Sequence, residues 1–182
     1  METVTAQKTK WTLDPAHSEI GFKVKHMMIT NVSGSFGKFD AHVETAGDDF
    51  TTAKIEFTAD IDSITTSNTD RDTHLKSADF FDAANHAQLK FISTKVERKD
   101  DDHYAVHGDL SIRGTSKPVK FDAEFGGVGK DPYGNEKAGF TISGKINRTD
   151  YKLNWNVALE AGGVLVSDEV RIYAEIQLIK QR

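Results

Sequence analysis

The chain has 182 residues, of which 37% are hydrophobic, so it is long enough to form one domain around one core. Its formal net charge of −5 argues against a nucleic-acid-binding protein, because proteins that neutralise phosphates usually carry a basic face. The sequence contains no cysteine, which excludes disulfide bonds and thiolate chemistry.

Residues 1–10 are polar and are predicted to form an N-terminal tail. They lack the apolar run of a secretory signal, and no apolar stretch of the chain is long enough to span a bilayer. The sequence therefore predicts a soluble, cytoplasmic protein with no transmembrane segment. A chain whose leader had been removed would have the same features, so a periplasmic location stays open.

Eight segments alternate apolar and polar residues, and this period of two places one face of a strand in the core and the other in water. The segments cover residues 18–27, 32–44, 52–61, 87–96, 104–112, 118–125, 138–147 and 168–178. A change of phase near Gly37 predicts a β-bulge within the second segment, and the glycine-rich residues 126–137 predict a hairpin loop. The pattern as a whole indicates an all-β, antiparallel fold.

Residues 67–78 break the alternation and predict one short helix. Ser67 or Asn68 is suited to the N-cap position, because either side chain can accept a hydrogen bond from a free backbone N–H of the first turn. Phe80 and Phe81 follow the helix, and at least one of these adjacent rings is expected to cover the core.

Eight strands are enough to close a barrel whose interior holds one small ligand. The side chains that face inward by phase are nearly all hydrocarbon, so such a cavity would select an apolar guest. The alternative is that the same side chains pack against one another as an ordinary core. The residues predicted to line the cavity are Ile20, Phe22, Val24, His26, Phe36, Ile55, Phe57, Phe91, Leu110, Phe121, Phe140, Ile142 and Ile172.

The predicted helix and the residues after it form a further candidate site at the rim of the barrel, composed of Arg71, His74, Leu75, Phe80 and Phe81. One interpretation is structural: the charges belong to the helix ends and to an intrahelical ion pair, and the apolar residues plug one end of the barrel. The other places Arg71 or His74 near the polar head of a bound lipid.

The seven histidines do not predict a metal site. His103 and His107 are four residues apart, but on a strand this spacing separates them by roughly 13 Å, too far to share an ion. The sequence has no HExxH motif and no GxSxG nucleophile turn. We therefore assign no metal ligand and no catalytic residue, and we predict that the protein is not an enzyme.

Several motifs resemble those of the YceI family of polyisoprenoid-binding proteins. Residues 14–18 (DPAHS) resemble the family's DxxHS segment, and residues 22–26 (FKVKH) resemble its FxVxH strand. Residues 71–82 (RDTHLKSADFFD) are similar to its most characteristic stretch, RDxHLxSxDFFD, and residues 146–151 (INRTDY) match a later one. The resemblance extends over residues 11–180. Two positions depart from it: Ala87 replaces a common proline, and Lys152 replaces a common glycine.

This resemblance implies an extended, lipocalin-like barrel that holds a long isoprenoid chain, such as a prenyl-tailed quinone or a polyprenyl phosphate, with no cofactor required. Burying one methylene group contributes ~0.8 kcal/mol against an association cost of ~4–15 kcal/mol. A chain of about 20 carbons would therefore bind without strong polar contacts.

Three functional hypotheses follow. The first is non-catalytic binding, storage or transport of a long isoprenoid lipid. The second is a lipid-processing enzyme that uses His26 or His74 as a general base. The third is a β scaffold that acts through protein contacts, with the outward Tyr173 in an assembly surface and a homodimer as one such assembly.

Overall fold

Eleven β-strands form one antiparallel sheet in the computed structural model, which describes residues 8–156, 159 and 165–181. The strands are β1 (Lys8–Leu13), β2 (Glu19–His26), β3 (Thr30–Phe36), β4 (Phe39–Ala46), β5 (Asp49–Asp60), β6 (Ile64–Thr65), β7 (Gln88–Arg98), β8 (His103–Ile112), β9 (Thr115–Lys130), β10 (Glu136–Asn147) and β11 (Val166–Lys180). They are accompanied by one α-helix, α1 (Thr69–Lys76), and by short 3-10 helices at Pro15–His17, Ile61–Ser63 and Arg148–Tyr151. None of the helices in the described part of the chain is long and apolar enough to cross a lipid bilayer.

Eight of the strands close into a barrel in the order β1-β4-β5-β7-β8-β9-β10-β11, and pairing of β1 with β11 joins the two ends. The remaining strands, β2, β3 and β6, extend the sheet from β11. This extension is accommodated because β11 is long: its end pairs with β1, whereas its earlier residues pair with β2. The prediction of a closed, eight-stranded antiparallel barrel with one short helix is confirmed.

The prediction of a single bulged strand over residues 32–44 is wrong, because the chain leaves one strand and enters another at Gly37 and Lys38. The Gly37 N–H donates to the Ser63 carbonyl at 3.0 Å, and the Asp60 N–H donates to the Lys38 carbonyl at 2.9 Å. Strand β3 pairs with β2 and β6, whereas β4 pairs with β1 and β5. The change of hydrophobic phase therefore marks a change of neighbours.

The predicted loop over residues 126–137 is also mostly strand. Strands β9 and β10 continue to Lys130 and from Glu136, and the turn between them is held by Asp131, whose Oδ1 accepts from the Asn135 N–H at 2.9 Å. A register shift at Gly139 lies opposite Gly127, whose φ of +111° favours glycine. Glycine here serves a bulge within a long hairpin.

Strand β1 is the barrel strand that the sequence pattern did not predict. It begins at Lys8, so residues 8–10 of the predicted polar tail belong to the barrel, and residues 1–7 lie outside the described part of the chain. Only Trp11 and Leu13 of this strand are buried, so it carries too few apolar residues to give a clear alternation.

Asp14 ties the connection between β1 and β2 to the β9–β10 hairpin. Its Oδ2 lies 2.6 Å from the Lys137 Nζ and 2.7 Å from the His17 Nδ1, and its Oδ1 accepts from the Ala16 N–H at 3.1 Å. The residue is only 8% exposed. The hydrogen bond from Lys137 is the main cause that holds the pKa of the Asp14 carboxyl below its usual range.

Replacing Asp14 by asparagine is expected to lower the free energy of unfolding at pH 7 by about 2 kcal/mol, the contribution of hydrogen bonds to a charged group. Because the native pKa of Asp14 is lowered, this stabilisation is complete above the unfolded pKa of about 4 and is lost as the pH falls through the native value. Urea unfolding of both proteins from pH 7 down to pH 3 should show the difference shrinking below about pH 4.

Asp101→Asn is the matched control, because this carboxylate is solvent-exposed and lies 3.5 Å from the Arg98 guanidinium in a surface pair. This variant should unfold like the parent protein at pH 7. A difference between Asp14→Asn and the parent that persists unchanged at pH 3 would contradict the assigned ion pair.

Candidate ligand-binding site

The barrel encloses a cavity of about 580 Å³ whose wall is almost entirely apolar. All eighteen predicted site residues lie on this wall. The barrel strands contribute Ile55, Phe57, Phe91, Leu110, Phe121, Phe140, Ile142 and Ile172; strands β2 and β3 contribute Ile20, Phe22, Val24, His26 and Phe36; and residues in and after α1 contribute Arg71, His74, Leu75, Phe80 and Phe81. The alternative interpretation, an ordinary core, would fill the barrel with packed side chains. The structure instead has a void there. The part of these residues in ligand binding stays a prediction.

Glycines on neighbouring strands let two aromatic rings of the wall pack directly over the backbone. Phe22 lies against Gly34, and Phe121 lies against Gly144, so closely that a methyl group on either glycine would overlap the ring. This arrangement is a known device for covering glycine in a sheet. It keeps the rings out of the centre of the barrel and leaves room for a guest.

One end of the cavity is closed by an aromatic cluster that we call the floor, composed of Trp11, Phe50, Phe125 and Phe140. The Phe50 ring lies 4.9 Å from Phe140, 5.2 Å from Trp11 and 5.7 Å from Phe125, measured between centroids. Phe50 and Phe140 line the cavity. Trp11 is buried, and its indole Nε1 donates to the Thr45 hydroxyl at 3.0 Å.

Apart from Tyr104, the polar side chains of the wall gather at the other end, which we call the mouth: Lys25, His26, Thr66, Asp70, Arg71, His74 and Arg148. Strand β5 connects the two ends, because it starts beside the floor with Phe50 and leads through β6 to α1. The site is therefore a long, mostly apolar tube with its charged groups at one end.

Helix α1 is anchored at the mouth by Thr66, Asn68 and the charged residues of its first turns. Asn68 is the N-cap, as predicted, and its Oδ1 accepts from the Arg71 N–H at 3.0 Å. The Arg71 Nε donates to the Thr66 hydroxyl at 2.7 Å, and that hydroxyl donates to the Asp72 Oδ1 at 2.6 Å. Arg71 and Asp72 thus meet through Thr66, and among the described residues no ion pair joins two residues of α1.

His74 stands at the mouth with its ring edge-on to two aromatic rings. The ring centroids of Phe80 and Trp155 lie 5.0 Å and 4.7 Å away, and the His74 Nε2 lies 2.9 Å from the Asp79 Oδ2. Phe80 is buried, as expected for at least one of the adjacent phenylalanines. Trp155 has no place in the sequence prediction, because it lies in a segment without periodicity.

Arg148 is a further mouth residue that sequence reasoning missed, as it did Lys25, Thr66 and Asp70. It is only 4% exposed, and its guanidinium donates at 2.5–3.2 Å to the carbonyls of Leu153, Trp155, Val166 and Ser167. Burial lowers the pKa of Arg148. Arg148 therefore links residues 153–155, which include Trp155, to residues 166 and 167.

No group of three or more His, Cys, Asp or Glu side chains that could hold a metal ion is found in the described ranges. His107 instead pairs with a single carboxylate, because its Nε2 lies 3.1 Å from the Glu97 Oε1.

Tyr173, the residue predicted for an assembly surface, has contacts within its own chain. Its ring covers Gly21, and the Lys23 Nζ lies 5.7 Å from the ring centroid.

An antiparallel barrel closed around an apolar cavity of this size defines the class of β-barrels that can hold one small apolar ligand. The chain belongs to the YceI family: the family model described as "YceI-like domain" matches residues 11–178. The relationship inferred from the sequence motifs is thereby confirmed.

Relatives and solved structures agree with this assignment. A UPF0312 protein of Staphylococcus epidermidis is 39% identical over 170 residues, which cover 93% of this chain and 96% of that protein. The crystal structure of the Campylobacter jejuni YceI protein has a TM-score of 0.75 at 34% identity and covers all of both chains. A polyisoprenoid-binding domain from Saccharophagus degradans has a TM-score of 0.66 at 13% identity, over 94% of this chain and 98% of that one, which is a likeness of fold alone.

Proposed function

We propose that the protein binds one long isoprenoid lipid in the barrel and acts as a non-catalytic carrier or store. The observation that carries this proposal is the distribution of charge along the tube, whose wall is mostly hydrocarbon from the floor upward and has its charged side chains only at the mouth. A guest that matches this pattern has one long hydrocarbon tail and one polar head. Prenyl-tailed quinones and polyprenyl phosphates both have this form.

The size of the cavity supports a long tail. A water molecule occupies about 30 Å³ of liquid and a methylene group is of similar size, so 580 Å³ has room for about 20 such groups. At ~0.8 kcal/mol per methylene group the gross gain is ~16 kcal/mol, which offsets an association cost of ~4–15 kcal/mol. Apolar contacts are therefore sufficient for binding.

The head group of such a lipid would lie among Lys25, Arg71 and His74, whose side chains line the mouth. These donors suit a phosphate or a quinone oxygen. A further point of support is the fold shared with the Saccharophagus degradans domain, which is named for polyisoprenoid binding.

Native mass spectrometry of protein purified without detergent tests the proposal. We expect a species heavier than the polypeptide, with the added mass released into organic solvent and identified as a prenyl lipid. Protein that stays free of lipid even after incubation with prenyl quinones would overturn the proposal.

A lipid-processing enzyme is the second candidate, and the contact of His74 with Asp79 at 2.9 Å favours it because a carboxylate can orient a histidine base. Under the carrier proposal, His74→Gln and His26→Gln should both keep nearly normal lipid retention, and lipid extracted after incubation should be chemically unchanged. His103→Gln is the matched control, because His103 is exposed on the outside of β8. Conversion of the lipid that disappears in His74→Gln but survives in His103→Gln would establish the enzyme instead.

A further inference from the structure

We infer that Phe50 sets the longest apolar tail that the cavity accepts, so that the preferred guest has a tail of about 20 carbons, or about four isoprene units. This inference rests on the proposed function and deepens it. It follows from the position of Phe50 at the floor, from the rings packed behind it and from the charged groups outside them.

Phe50 is the part of the floor that a guest would meet first. It is 6% exposed, lies at the start of β5 and faces the cavity together with Phe140. The two rings meet edge to face, with an interplanar angle of 75°. Trp11 and Phe125 touch Phe50 from behind without lining the cavity.

The rings behind Phe50 are held in place, so the floor resists displacement by a guest. Trp11 is 1% exposed and is fixed by its hydrogen bond to Thr45, whose hydroxyl also donates to the Gly47 carbonyl at 2.6 Å. Side chains in a well-packed core do not move aside without loss of contacts.

Charged groups cover the outer side of the floor. The Lys180 Nζ lies 5.8 Å from the centroid of the Trp11 ring and pairs with Asp48 at 2.9 Å and with Glu136 at 3.2 Å. A hydrocarbon tail that passed the floor would have to separate these ions or enter water. The tube is therefore closed at this end by an apolar layer and an ionic layer.

Once a tail reaches Phe50, further carbons add nothing to the affinity, because these extra carbons must stay outside the mouth. Affinity is thus expected to rise with tail length up to a limit and then to level off. Removing the Phe50 ring leaves a cavity continuous with the tube, which adds room for about one isoprene unit. The limit should move by this amount.

The experiment measures dissociation constants for geraniol, farnesol, geranylgeraniol and geranylfarnesol, which differ by one isoprene unit each, by competition with a fluorescent fatty acid. In the parent protein each unit that fits should raise the affinity on the order of 1,000-fold, with a plateau at geranylgeraniol. In Phe50→Ala the plateau should move to geranylfarnesol. Phe57→Ala controls for loss of a ring from the side of the tube on the same strand: it should weaken binding but leave the plateau at geranylgeraniol.

A plateau that stays at geranylgeraniol in a folded Phe50→Ala variant overturns the inference and leaves the proposed function intact. Absence of binding by all four alcohols to the parent protein overturns both. Should Phe50→Ala fail to fold, Ala53→Phe provides the opposite test, because Ala53 lines the cavity near the floor and a ring there shortens the tube. Its plateau should move to a shorter alcohol, and an unmoved plateau would overturn the inference.

Discussion

Tryptophan in place of Ala174 is expected to weaken the binding of a long prenyl lipid about 50-fold while the barrel stays folded. Ala174 lies midway along β11, where it pairs with Ile142 of β10 and Ile20 of β2 and lines the cavity. An indole at this position would displace about three methylene groups of the guest, at ~0.8 kcal/mol each. Isothermal titration or competition with a fluorescent lipid measures the change.

Arg171→Trp is the matched control for this substitution, because Arg171 is exposed on the outer face of the same strand. It should bind the lipid like the parent protein. Thermal unfolding by circular dichroism should show that both variants keep the β fold, since the indole of Ala174→Trp enters an existing void. Normal lipid affinity in Ala174→Trp would mean that the guest does not occupy the barrel.

Methionine in place of Arg148 is expected to lower the free energy of unfolding by about 3–5 kcal/mol. The substitution keeps an apolar stem but leaves the carbonyls of Leu153, Trp155, Val166 and Ser167 without their donor. Each buried carbonyl that stays unpaired costs about 1–3 kcal/mol, and those that reach water cost less. Urea unfolding gives the free energy, and the melting temperature should fall by about 10 °C.

Arg171→Met is the control for loss of a surface arginine and should change stability by no more than about 0.5 kcal/mol. Arg148→Lys separates charge from geometry, because an ammonium group cannot reach carbonyls on two chain segments as a planar guanidinium does. We expect this variant to recover only a small part of the loss. Stability of Arg148→Met within about 1 kcal/mol of the parent would show that the four hydrogen bonds are replaced by water.

Strands with one apolar, buried face could be predicted from the alternation of apolar and polar residues. Strands that lack this alternation could not. In β5 and β11 the alternation is nearly regular, because the barrel wall separates the cavity from solvent at each residue. In β1 only Trp11 and Leu13 are buried, and β6 has two residues, which is too few to define a period. The glycines of the β9–β10 hairpin hide the alternation there.

The residues that line the cavity wall could be predicted from the phase of the alternation along each strand. Most residues at the mouth could not. Phase tells which side of a strand a residue faces, and this was enough to select residues such as Phe57, Leu110 and Ile142. Arg148 and Trp155 act through contacts with segments that have no periodic structure, so their roles depend on a fold that no local pattern encodes. Arg148 falls within a family motif, which was the only signal for it in the sequence. The cytoplasmic location and the homodimer stay predictions.

The double pairing along one edge of β11 has a consequence for how the protein is made. This strand follows the other ten in sequence, and it borders β10 on one side and both β1 and β2 on the other. The ring therefore cannot close until β11 has left the ribosome, and until then β10, β1 and β2 each expose an unpaired edge that invites intermolecular pairing. A nascent chain that stops before Val166 is expected to remain an open, aggregation-prone sheet, which makes tube closure a late event in biosynthesis.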